Sequence, residues 1–118
     1  RLVVPLLQVQ IHVENAIEHG LRMLNGNRIL DIRIEDHDQF VHVLITDNGI
    51  GRAAAKARGR KSTGQGINML RNIYDIYNPA NRDHFSYTYD DLVDPVTKAA
   101  IGTRVTICIP KQFKFQLS

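Results

Sequence analysis

The period of the apolar residues changes along this chain, and that change limits the possible folds more than any other feature. Leu6, Leu7, Val9, Val13, Ile17, Leu21 and Leu24 recur at steps of three and four, which predicts one amphipathic helix from about residue 4 to residue 24. Pro5 suits its first turn, and Asn25-Gly26-Asn27 supplies the left-handed stop expected past a helix end. The period then drops to two. Ile29 to Glu35 and Phe40 to Thr46 are alternating, β-branched runs around the polar Asp36-His37-Asp38-Gln39, and they predict a hairpin. A loop with Gly49, Gly51, Gly59, Gly64 and Gly66 leads into a second helix, from about Gly66 to Tyr77, closed by Asn78-Pro79. Phe85, Tyr87 and Tyr89 alternate as a strand, Asp91 to Ala100 reads as a loop, and Ile101 to Ile109 forms a last strand. Helices interleaved with hairpin-joined strands predict an α/β (α+β) two-layer sandwich, a mixed β-sheet with helices packed on one face.

Composition narrows the class. With 118 residues, 43% of them apolar, and a net charge of +3, the chain has the size of a single domain that buries a core without a disulfide or metal staple. The single cysteine, Cys108, lies in an apolar run and reads as a small core residue, with no sign of an oxidising compartment. No run reaches the roughly 18 apolar residues of a membrane span, and no signal peptide is recognisable, so this stretch is expected to be soluble. Its start at Arg1, without Met, predicts a piece of a longer protein. Arg52, Lys56, Arg58, Arg60 and Lys61 crowd a stretch that contains no acid, which fits either a phosphate-facing loop or a solvated basic run. Interleaved aromatics are missing from it, and a nucleic-acid partner is not expected.

Three segments are chemically odd for their setting. Glu14-Asn15-Ala16-Ile17-Glu18-His19-Gly20 places an asparagine in mid-helix, where it is a poor helix former. It either bonds a neighbouring backbone group or offers an amide oxygen to a hard cation such as Mg²⁺. Asp47-Asn48-Gly49-Ile50-Gly51 ends the second apolar run; it is either a simple turn or a carboxylate placed to accept from an exocyclic amine such as that of adenine. Thr63-Gly64-Gln65-Gly66-Ile67 stands where the basic loop enters the second helix, and free amides at a helix start attract phosphate. His19 lies one turn after Asn15, on the same face of the helix. The other histidines, His12, His37, His42 and His84, have no companion at metal-ligand spacing.

In this order the segments resemble the motifs of the GHKL ATP-binding domains, and within them the catalytic domain of LytS/YehU-type sensor histidine kinases. Residues 10–20 look like the N box, 47–51 the G1 box, 63–67 the G2 box, and Gly102-Thr103 the final Gly-Thr element, so the resemblance spans nearly the whole chain. It implies the Bergerat (GHKL) fold over residues 1–118 as one domain, with ATP as substrate and Mg²⁺ as cofactor. It further implies that Asn15 binds Mg²⁺, that Asp47 recognises the adenine amino group, and that Gly49 and Gly51 line the adenine pocket with help from Thr103. His19, Lys61, Thr63, Gly64, Gly66 and Ile67 would complete the ATP site, and residues 52–63 would form a short lid.

The implied activity is protein histidine kinase. The γ-phosphoryl group passes to a histidine on an adjoining dimerisation domain upstream, then to a response regulator, in an expected homodimer that is membrane-anchored with this domain in the cytoplasm. Nothing inside the chain is placed to be the acceptor, so no autophosphorylation of these residues alone is expected. Hydrolytic relatives carry a glutamate one turn before the Mg²⁺-binding asparagine; here that position is Ile11. Related N boxes often carry lysine where this chain has Glu18, and that reversed charge supports one alternative, a nucleotide-binding module without kinase activity that acts through partners.

Overall fold

The computed structural model describes residues 3–21, 26–51 and 65–113, with the side chains of residues 3–6, 19, 20 and 65 outside the description. Helix α1 spans Val3–Asn15, strand β1 Leu30–His37, strand β2 Phe40–Asp47, helix α2 Gln65–Tyr77, strand β3 Ser86–Val93 and strand β4 Ala100–Pro110. A π-helical turn, Ala16–Leu21, continues α1, and a 3₁₀ turn, Asn78–Ala80, ends α2. The single α-helix expected to residue 24 is therefore corrected: regular α winding stops at Asn15. Asn15 and Gly20 have weak helix preference, and wider π turns are frequent where a helix serves a site. The end of that expected helix, at 22–25, lies outside the described residues; Gly26 beyond it has φ +107°.

The four strands form one sheet in the order β1-β2-β4-β3, antiparallel at every pairing. Among the described residues this corrects the expected mixed sheet to an antiparallel one within an α+β fold. The reason is topological. The connection through α2 makes β2 and β3 run the same way, as a crossover should, but β4 then inserts between them and opposes both. The β1–β2 hairpin turns through two residues, Asp38 and Gln39, with Asp38 in the left-handed region at φ +57°. Strands β3 and β4 run further than alternation suggested, because the 94–99 turn is tightened by the Asp94 carboxylate. That side chain accepts from the Val96 N–H at 2.8 Å and the Thr97 N–H at 2.9 Å.

Both helices pack on one face. Val43, Ile45, Val105 and Ile107 form the buried core there, with Val9, Val13, Tyr87 and Tyr89 packed against it. Leu70 of α2 is fully buried, and Tyr74 stacks on Phe85. Cys108 is half-buried and occupies the opposite phase of β4 from Val105 and Ile107, so it faces the outer side of the sheet and not the core as expected. Ile32 and Ile34 of the edge strand β1 stay exposed. No helix among the described residues is long and apolar enough to cross a membrane.

Candidate functional site

Asp47 is the last residue of β2 and shares the phase of Val43 and Ile45, so its side chain belongs to the helix-covered face and is only 5% exposed. A carboxylate there needs partners. Oδ1 accepts from the Gly49 N–H at 2.8 Å, and the Thr103 N–H also donates to the carboxylate. Burial outweighs these two amides and raises the Asp47 pKa above the ordinary aspartate value. The fold thus holds a carboxylate under conditions that favour its neutral form, and a donor arriving at its remaining lone pairs would relieve that cost.

The backbone around Asp47 has little room. Gly102 (φ +150°) lies so close that a Cβ there would stand 3.0 Å from the Asp47 carbonyl carbon, nearer still to its oxygen, and 3.1 Å from Asn48 Cα. Only glycine fits. Thr103, buried beside it, is the register partner of both Asp47 on β2 and Asp91 on β3. Gly102-Thr103 therefore lies near the start of β4. Gly49 is buried, and Gly51 adopts φ +88° with its Cβ position 3.2 Å from Ala100 Cβ. Asn48 ties the entry of β1 to the end of β2, since its Oδ1 accepts from the Ile29 N–H at 2.7 Å and its Nδ2 donates to the Asn27 carbonyl at 2.8 Å.

Asn15 closes the regular part of α1 and donates through Nδ2 to the Tyr89 hydroxyl at 3.5 Å. Tyr89 sits opposite Val105, two positions from the Thr103 level, so Asn15 and Asp47 converge on the same end of the same face. With its amide nitrogen turned to Tyr89, Asn15 keeps its oxygen for another partner, and a half-buried amide oxygen suits a hard cation. Sequence reasoning missed what lies behind it. Gln8 and His12, fully buried on α1, accompany Asn15 at helical spacing, His12 against the β3 tyrosines Tyr87 and Tyr89 and Gln8 against Tyr74 of α2. The Tyr74 hydroxyl donates to Gln8 Oε1, and His12 Nδ1 lies 2.7 Å from the Tyr89 hydroxyl. Gln8 Nε2 and His12 Nε2 have no hydrogen-bond partner among the described residues. Burial lowers the His12 pKa to about 4, so His12 is neutral at ordinary pH.

Gly66 and Ile67 occupy the first turn of α2, both half-buried. A Cβ on Gly66 would meet Ile11 Cγ2 at 3.0 Å, so this glycine also lets α1 and α2 approach closely. Ile11 is buried at that contact. His19 falls within the π-helical turn, but its side chain lies outside the described residues, as do Lys61, Thr63, Gly64 and the whole 52–63 stretch expected to form a lid. The expectation that His37 and His42 lack companions is corrected, because the hairpin brings them together with Glu35 on the outer face. No protein-family model matches this chain, and no curated protein matches it either.

Proposed function

We propose that this chain binds ATP and serves as the catalytic domain of a GHKL-type sensor histidine kinase. The observation that carries the reading is the Asp47 carboxylate, buried at a strand end, backed by the Gly49 and Thr103 amides, with Gly102 close against its backbone. Such a group selects a ring that presents an exocyclic amine, and the adenine amino group donates where the guanine oxo group cannot. Asn15 would hold Mg²⁺ through its amide oxygen, and the ion would supply countercharge to the phosphates. The first turn of α2 would take phosphate charge on its free amides, and the five cations between residues 52 and 61 would add countercharge.

In the proposed reaction the bond from the γ-phosphorus to the ADP oxygen breaks as a bond forms to an acceptor imidazole nitrogen, whose proton passes to solvent. The protein's contribution is positioning and charge screening, which phosphoryl transfer chiefly requires. Ile11 favours transfer over hydrolysis. Packed against Gly66, this apolar side chain leaves no base at the position from which hydrolytic relatives activate water. Calorimetric titration with ATP and GTP, each with Mg²⁺, tests the nucleotide assignment. ATP should bind at least tenfold more tightly, the value of one charge-assisted hydrogen bond of about 1.5 kcal/mol or more. Equal affinities would remove the adenine assignment.

A further inference from the structure

Glu35, His37 and His42 form a cluster on the sheet face away from the helices, near the turn of the β1–β2 hairpin. Glu35 and His37 are two residues apart on one strand and so project from the same side, and His42 is the register partner of Glu35. His37 Nε2 lies 2.8 Å from Glu35 Oε1, each side chain being 46% exposed. The His37 and His42 rings stack with centroids 4.0 Å apart and planes 24° from parallel. One ligand atom from each of the three residues lies within 4.8 Å of the others.

We infer that Glu35, His37 and His42 form a binding site for a divalent transition-metal ion, Zn²⁺ in the first instance. Two imidazoles and one carboxylate are the donor set of open-coordination zinc sites, whereas Mg²⁺ and Ca²⁺ seek oxygen ligands throughout. Around tetrahedral zinc, ligand atoms at about 2.0–2.1 Å from the ion stand roughly 3.4 Å apart. The exposed Glu35 and His37 side chains can close to that spacing from within 4.8 Å by rotating toward the half-buried His42. The ion would displace the proton shared between His37 and Glu35, and a fourth position would remain open to water. Because the three ligands come from both strands of the hairpin, the bound ion would pin β1, an edge strand with one paired neighbour. The inference is independent of the nucleotide reading, which concerns the other face of the sheet.

Titration of the apo protein with ZnCl₂ by calorimetry, followed by melting with and without Zn²⁺, tests it. One ion per chain is expected, with a rise in melting temperature on binding. His37→Ala and His42→Ala, both at positions outside the core, should each weaken Zn²⁺ binding by roughly tenfold or more and abolish the thermal shift. His84→Ala should bind as wild type, and so should Cys108→Ser, which removes the thiol on β4 directly opposite His42. Absence of Zn²⁺ binding to the wild type, unchanged binding in the two cluster variants, or its loss in Cys108→Ser would each overturn the assignment. A visible ligand-field spectrum with Co²⁺, present in wild type and absent in the double variant H37A/H42A, gives a readout that does not depend on stability.

Discussion

Asp47 and Glu35 are carboxylates on adjoining strands, and the sheet treats them in opposite ways. Asp47, at the far end of β2 on the helix-covered face, is buried among backbone amides, and burial raises its pKa. Glu35, near the hairpin turn on the outer face, is exposed, and its hydrogen bond to His37 holds its pKa below the usual glutamate value. The one carries a cost of burial that two backbone amides offset only in part. The other is already satisfied by a neighbour and free to exchange that neighbour's proton for an ion. Position in a sheet, and not residue type, decides which carboxylate is available for which chemistry.

The contrast can be broken most severely at Gly102. Gly102→Ala adds a methyl group against the Asp47 carbonyl at φ +150°, and should destabilise the domain by about 3 kcal/mol or more in urea unfolding. Stability within experimental error of wild type would mean the Asp47 end of the sheet yields easily and does not fix its carboxylate. The next effect concerns the polar stripe that supports Asn15. His12 stays neutral when folded down to about pH 4, while the unfolded chain protonates near its ordinary value of 6.5. As pH falls through that window the unfolded state takes up a proton the folded state refuses, so stability drops between about 6.5 and 4 and levels off below. The loss is on the order of 3 kcal/mol. In His12→Gln this component of the pH dependence should vanish, even if the variant is less stable overall; parallel pH profiles would contradict it. The smallest effect is expected on the exposed side, where Glu35→Gln should leave metal-free melting unchanged within error. A clear fall there would show that the pair with His37 is structural.

Much of the fold was legible because period and turn chemistry agree. The hairpin and α2 fall close to where alternation and helical spacing placed them, since β2 and α2 each bury one face and the elements are stopped by polar or Pro-containing turns. The apolar stripe of α1 ran on to Leu24 and concealed the change of winding after Asn15, which no apolar spacing records. Its buried Gln8 and His12 were equally hidden, because their burial is set by tyrosines of other elements, Tyr74 of α2 and Tyr87 and Tyr89 of β3, and not by their own character. At the site, Asp47 could be read from its place at a strand end. The closeness of Gly102 to it could not, since that contact depends on β4 inserting beside β2. The Glu35, His37 and His42 cluster was invisible in sequence spacing for a similar reason: only a two-residue turn sets the register that brings His42 opposite Glu35.

Titrating Asp47→Asn with Mg-ATP by calorimetry is the most direct test of the claim that a buried carboxylate is held for adenine. The asparagine oxygen can still accept from the Gly49 amide, so the variant should fold, and loss of a buried charge offsets the change at the other carboxylate oxygen. Its affinity for ATP should fall by roughly ten- to a hundredfold, matching the loss of a charge-assisted hydrogen bond of about 1.5–3 kcal/mol. A folded variant that binds ATP as tightly as wild type would contradict the account.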